Sequence, residues 1–247
     1  MELRGKTAIV TGGGSGIGRA TALRLAAQGC QVVIASLDEE ELTATAQAIR
    51  DQTGGEAIAF CADLCREEQI DGLIALTVEA FGTIDIVVNA AGVIVEKPYM
   101  EHTMDDWDRT FAINVRAPFA LCRQAMGVMR QQHGRQGWEG GYIVNICSTA
   151  INNVHERFVA YGASKHALYG LTQACRSYGE PFGIRASTIS PDVTDTAMAR
   201  GIRVGGTPDQ WMRPDDIARM VTFLLETDAR MSIDNIMTRN NWRATVN

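Results

Sequence analysis

No apolar run in the 247-residue chain approaches the roughly 18 residues that a membrane-spanning helix requires, so no membrane partner is expected. An excess of basic residues is missing too. Lys and Arg number 23 against 29 Asp and Glu, a net charge of −6, and nucleic-acid binding usually needs a basic face. The opening residues Met1 to Lys6 carry no apolar signal core, which makes the cytoplasm the expected location. Six cysteines (Cys30, Cys61, Cys65, Cys122, Cys147, Cys175) form no C-x-x-C pair, and His102, His133, His155 and His166 show no metal-ligand spacing. Reduced thiols and no metal site are expected. Repeats, low-complexity tracts and linkers are also missing. With 46% hydrophobic residues, the chain reads as one domain over residues 1–247.

What is present begins with Thr11-Gly12-Gly13-Gly14-Ser15-Gly16-Ile17-Gly18. It follows an apolar run, Thr7 to Val10, that reads as a buried parallel strand. It precedes a helical segment, Arg19 to Gly29, with Ala20, Leu23 and Ala27 at helical spacing. Glycines between a strand and a helix let the backbone turn sharply and approach a dinucleotide pyrophosphate, which the helix N-terminus attracts. A glycine-rich turn without any ligand would look the same, and Ile17 stands where the generic G-x-G-x-x-G pattern has its last glycine.

Strand and helix then alternate. Strands are predicted at 31–35, 57–60, 84–88, 142–146 and 184–189. Helices are predicted at 38–50, 67–80, from Thr103 into a long stretch ending near Met129, at 159–178 and from Pro214. This order implies right-handed crossovers and a doubly wound, Rossmann-type α/β fold: a parallel sheet with helices on both faces. Ligands of such sheets sit beyond the carboxyl ends of the strands.

Those strand ends carry Asn89-Ala90-Ala91-Gly92, Ser148 and Ser190-Pro191, while Asn114 and Tyr161-Gly-Ala-Ser-Lys165 fall on helices. Oxidising a secondary alcohol by hydride loss also requires a base for its proton. A free tyrosine, titrating near about pH 10, is a poor one. Tyr161 and Lys165 are four apart and share a helix face, where an ammonium favours the phenolate. Ser148 is placed to donate a hydrogen bond to the substrate oxygen. Each of these residues alone also fits an ordinary surface pair, a turn or a helix-polar position.

Taken together, in this order, the motifs resemble the short-chain dehydrogenase/reductase family over Gly5 to about Leu225. The resemblance implies Tyr161 as acid/base, Lys165 as its tuner and ribose ligand, Ser148 as orienter, and Asn114 as holder of a relay water. It implies a dinucleotide held by Gly12, Gly14, Ser15, Gly16, Ile17 and Gly18, by Ser36 and Leu37, by Asp63 and Leu64 at the adenine, by Asn89, Ala90 and Gly92, and by Pro191, Thr194 and Thr196, with Tyr161 and Lys165. A homodimer or homotetramer paired through the long helices is implied as well.

Four features depart from the family pattern. The acid that NAD enzymes carry at the end of the second strand is replaced by Ser36, and Leu37 stands where NADP enzymes often have arginine. Gly14 and Ser15 leave the glycine loop without its usual base. Asp38 either takes the acid's part or, as preferred here, caps the next helix. NAD and NADP both stay open, with a lean to NADP. Asp192 replaces the usual glycine after Pro191 and would be strained if the turn needed positive φ. The ending, Ser232 to Trp242, resembles that of a reductase subgroup acting on hydroxy acids and small carbonyls. Substrate contacts are expected from 93–99, 150–158 and a lid at about 195–213 bearing Met198, Ile202, Val204 and Trp211. Asn152, Asn153, His155 and Arg157 suggest a polar or acidic substrate, or only a solvated loop. Two functions result: an NAD(P)-dependent oxidoreductase interconverting alcohol and ketone, or a dinucleotide sensor on the same fold without turnover.

Overall fold

The computed structural model describes residues 1–241. Its strands are β1 (Thr7–Thr11), β2 (Gln31–Ser36), β3 (Ala57–Cys61), β4 (Ile86–Asn89), β5 (Gly141–Ile146), β6 (Ile184–Ser190) and β7 (Asn235–Met237). They form one parallel sheet in the order β3-β2-β1-β4-β5-β6-β7. Strand order reverses between β1 and β4, so a crevice opens at the carboxyl ends of those two strands.

Alternate residues of each strand feed two cores. Val10, Ile34, Val88 and Val144 face one way, onto α1 (Gly16–Ala27), α2 (Glu39–Thr53) and α8 (Pro214–Glu226). Ile9, Val33, Val87 and Ile143 face the other way, onto α3 (Glu67–Phe81), α5 (Ala117–Gln132) and α6 (Val159–Gly179). Burial on both faces explains why these strands read as unbroken apolar runs.

The helix starts follow local chemistry. Asp38 caps α2, its Oδ1 accepting from Glu41 N at 2.9 Å. Thr103 and Asp106 form a reciprocal capping box on α4 (Met104–Phe111). Proline opens α8.

Three sequence expectations change. Helix α1 starts at Gly16 and buries Gly18, Thr21, Ala22, Leu25 and Ala26; the Ala20–Leu23–Ala27 stripe flanks that face or meets solvent. Gly18 packs directly on Gly12, and residues at helical spacing from it follow onto the sheet. The long helix from Thr103 is two α-helices joined by a π-helical turn, Ala112–Arg116. Pro118, four residues beyond Asn114, has no N–H to give that residue's carbonyl, and the ladder widens there. The tail adds the seventh strand β7, with Asn235 Oδ1 accepting from Thr188 and Ser190 hydroxyls at 2.9 and 2.8 Å. Trp242 lies outside the described residues. Among the described residues no helix is long and apolar enough to cross a membrane.

Candidate active site

The glycine turn forms the floor of the crevice. Gly12 and Gly16 take φ of 65° and 51°, where side chains are disfavoured. A Cβ on Gly12 would stand 2.8 Å from Ala91 N, and one on Gly18 only 2.1 Å from Gly12 O. Thr11 Oγ1 accepts from Ala90 N and Ala91 N, both at 3.2 Å, and so ties the turn to the end of β4. Ser15 is the N-cap of α1, but its side chain caps nothing. Ser15, Gly16 and Ile17 instead line a cavity of about 530 Å³. Open helix-start N–H groups beside close-packed glycines suit a pyrophosphate.

Most residues singled out in the sequence line this same cavity. They are Gly12, Ser15, Gly16, Ile17, Gly18, Ser36, Leu37, Asp63, Leu64, Ala90, Gly92, Ser148, Tyr161, Lys165, Pro191, Thr194 and Thr196. Three do not. Gly14 is buried beneath Glu41 and Ser36. Asn89 is 3% exposed and turns into the core, its Nδ2 donating to Asn145 Oδ1 at 2.7 Å, so its side chain supports the strand end and lines nothing. Asn114 is fully buried beneath the cavity wall. Its Oδ1 accepts from Val93 N at 2.8 Å, and its Nδ2 donates to Val93 O at 2.9 Å and Ser164 Oγ at 3.0 Å. Both amide donors are committed, and Pro118, four residues on, has no N–H to give the Asn114 main-chain carbonyl.

At the far end, Lys165 is only 5% exposed and donates from Nζ to Ile146 O at 2.9 Å. The same Nζ lies 5.5 Å from the Tyr161 ring centroid. Ser148, just past β5, accepts from Ala150 N at 3.1 Å, which leaves its own hydroxyl proton to give. A Cβ on Gly92 would meet Asn114 Oδ1 at 3.2 Å and Lys165 Nζ at 3.8 Å; Asn114 and Lys165 converge there. Cys147 also lines the cavity; burial pushes its thiol pKa up against the pull of Lys165, so it stays neutral.

Sequence reasoning missed several wall residues. Ile113 enters through the π turn, for which Asn114 followed by Pro118 was the available signal. Cys65 extends the Asp63–Leu64 pair by position, while Ile94 falls within the expected 93–99 segment. Trp211, expected in the lid, is turned away, its Nε1 donating to Gly205 O at 2.9 Å. Met198, Ile202 and Val204 do line the cavity, as do Val154 and Phe158. Of the polar loop, Asn153 and His155 reach it, whereas Arg157 is held at 2.8 Å by Glu96. The other oxygen of Glu96 accepts from Arg203 N at 2.8 Å, clasping the lid to the wall. That backbone N–H and then Arg157 hold the Glu96 carboxyl below its ordinary range.

Asp192 is unstrained, since no described residue other than glycine has positive φ. Its Oδ2 accepts from Asn240 N at 3.1 Å, while Asn240 bonds Val193 O and Met212 N at 2.8 and 3.0 Å. The aspartate ties the turn after β6 to the tail and the lid. Among the described residues no group of three or more His, Cys, Asp or Glu is placed to hold a metal ion.

Comparison with known proteins agrees with this geometry. The sequence profile described as short chain dehydrogenase matches residues 6–205. The short chain dehydrogenase/reductase astE of Aspergillus oryzae is 34% identical, over 95% of each chain. An NAD+-bound xylitol dehydrogenase structure superposes with a TM-score of 0.86 at 29% identity, covering 96% of this chain and 98% of that one. A metagenomic short-chain oxidoreductase in complex with NADP gives 0.82 at 30% identity, covering 98% and 99%.

Proposed function

The chain belongs to the short chain dehydrogenase family, and from that premise we propose that it is an NAD(P)-dependent oxidoreductase interconverting a secondary alcohol and a ketone. The observation that carries this reading is the buried Lys165, locked on Ile146 O and set 5.5 Å over the Tyr161 ring, in one cavity with Ser148 and the glycine turn. The dinucleotide supplies the hydride acceptor or donor.

The chain's own groups handle orientation and the proton. Ser148 gives its hydroxyl hydrogen to the substrate oxygen. Tyr161 Oη takes the alcohol proton in oxidation and returns one in reduction. Of the three Lys165 donors one is spent on Ile146 O, and the others serve the phenolate and a ribose or water. The Asn114 carbonyl would hold that water, passing protons outward.

The substrate wall supports an uncharged, largely apolar ketone or alcohol. Ile94, Val154, Phe158, Met198, Ile202 and Val204 line it, and among the described residues Lys165 is its one Lys or Arg. Arg157, which would recognise a carboxylate, is already paired with Glu96. The exposed Phe119 and Tyr178, on α5 and α6, support self-association through those helices.

Tyr161→Phe tests the assignment. It is expected to keep coenzyme affinity within about twofold while turnover on a ketone panel falls by about 10³-fold. Undiminished turnover in the folded variant would overturn the role of Tyr161.

A further inference from the structure

The choice between NAD and NADP turns on what stands around the 2′ position of the adenosine ribose. In this fold that position falls at the end of the second strand, here Ser36. The neutral Ser36, Leu37, Gly14 and Ser15 carry no acid to reject a 2′-phosphate and no base to bind one. The structure brings in a residue from outside these motifs. Glu41, in the first turn of α2, folds its side chain back over Gly14. Glu41 Oε2 lies 3.1 Å and Ser36 Oγ 3.2 Å from one point, the place a Cβ on Gly14 would take. The Glu41 Cβ lies nearer still, 2.8 Å from that point, so a side chain at position 14 would meet the stem of Glu41 as well as its carboxylate.

We propose that Glu41 is the coenzyme-specificity residue and makes this enzyme select NAD(H) over NADP(H). The inference rests on the dinucleotide-binding reading above and reverses the lean to NADP that Ser36, in place of the usual acid, suggests. Three observations support it. Among the described residues, the adenosine end of the cavity, from Ser36 and Leu37 to Asp63, Leu64 and Cys65, is lined by an acid and no base. The nearby Asp38 carboxylate is engaged with Glu41 N, which fixes the first turn of α2 and with it the Glu41 backbone. Arg66, the cation next along the chain from Cys65, is engaged with Glu68.

A 2′-phosphate therefore meets negative charge from Glu41 and Asp63, and the cations acting on Cys65, Arg116 and Arg109, do not line the cavity. A 2′-hydroxyl meets Ser36 Oγ as an acceptor, whose own proton goes to Asp38 O at 3.3 Å, with the Glu41 carboxylate at the rim outside the cavity lining. Glu41 is solvent-exposed, so water screens the repulsion. For a phosphate carrying nearly two charges the discrimination is about tenfold and shrinks with salt.

The test is calorimetric titration of NAD+, NADH, NADP+ and NADPH into wild type, Glu41→Gln and Glu41→Lys, at low and high salt. Thermal melting of each variant confirms folding, and an exposed helical position should tolerate both changes. Wild type should bind NAD(H) about tenfold tighter than NADP(H). Glu41→Gln should narrow that ratio severalfold by improving NADP(H) alone, and Glu41→Lys should invert it, with both effects reduced at high salt. Tighter NADP(H) binding by wild type, or a ratio unmoved in Glu41→Lys, would overturn this proposal and leave the oxidoreductase reading intact. Binding of neither dinucleotide would overturn both.

Discussion

Substituting Gly18 by alanine should separate coenzyme binding from general stability. Gly18 lies within α1 with ordinary helical φ, so the added methyl meets no backbone-conformation penalty. It meets atoms. The new Cβ would stand 2.1 Å from Gly12 O, 2.5 Å from Gly12 C and 3.1 Å from Gly13 N, all of them backbone. Side chains relax cheaply, but here the helix start and the glycine turn must part by roughly 1 Å. Overpacking of this kind costs about 1–3 kcal/mol. In a chain of this size each kcal/mol lowers the melting midpoint by about 2–4 °C.

The same displacement moves the α1 N–H groups away from the pyrophosphate, and a misplacement of that size is enough to weaken dinucleotide affinity by at least about tenfold. Gly170→Ala in α6 is the control. A Cβ there meets nothing within 4 Å, so the exchange should stabilise the helix by about 0.4–1 kcal/mol without changing coenzyme affinity. Differential scanning calorimetry and dinucleotide titration on both variants decide the matter. If Gly18→Ala melts with wild type and binds coenzyme equally well, the close-packed turn is not what holds the pyrophosphate.

Two further perturbations act at the rim of the site. Glu96→Ala removes the clasp on Arg157 and Arg203 N, so the KM for ketone should rise severalfold while coenzyme affinity stays put. Because the folded Glu96 carboxyl is held below its ordinary 4.5, the clasp is complete above that pH and is lost as pH falls through the lower folded value. The KM of wild type should therefore climb in acid more steeply than that of Glu96→Ala, and equal pH profiles would refute the clasp. Asp192→Ala leaves Asn240 N without its acceptor and should lower stability by about 1 kcal/mol, with faster proteolysis of the tail after β7. A tail as protected as in wild type would refute the tie.

Much of the fold was legible because a parallel sheet buried on both faces demands contiguous apolar runs. Val32 to Ala35 and Ile86 to Val88 could hardly be anything else. The caps Asp38 and Thr103 were legible because capping is local. The buried face of α1 was not legible because its orientation is set by the contact of Gly18 on Gly12, not by side-chain spacing. Strand β7 escaped notice because its three residues are fixed by Asn235 reaching Thr188 and Ser190, far away in sequence. The residues gathered in the cavity follow a motif, whereas the direction of the Asn89 side chain was not legible because a strand end can turn it to either face. Glu41, Glu96 and Asp192 follow no motif. Their parts depend on which backbone packs beside them, and only the folded chain brings Gly14, Arg203 and Asn240 into reach.

The central claim is that hydride passes between a dinucleotide and a substrate carbon while Tyr161 handles the proton. Its most direct test is transfer of deuterium from reduced dinucleotide carrying two deuterons at C4 to a panel of apolar ketones, read by mass spectrometry of the alcohol product. Wild type should place one deuterium on the carbinol carbon, and Tyr161→Phe, still binding the dinucleotide, should yield almost none. Label-free product, or equal transfer by the phenylalanine variant, would contradict the account.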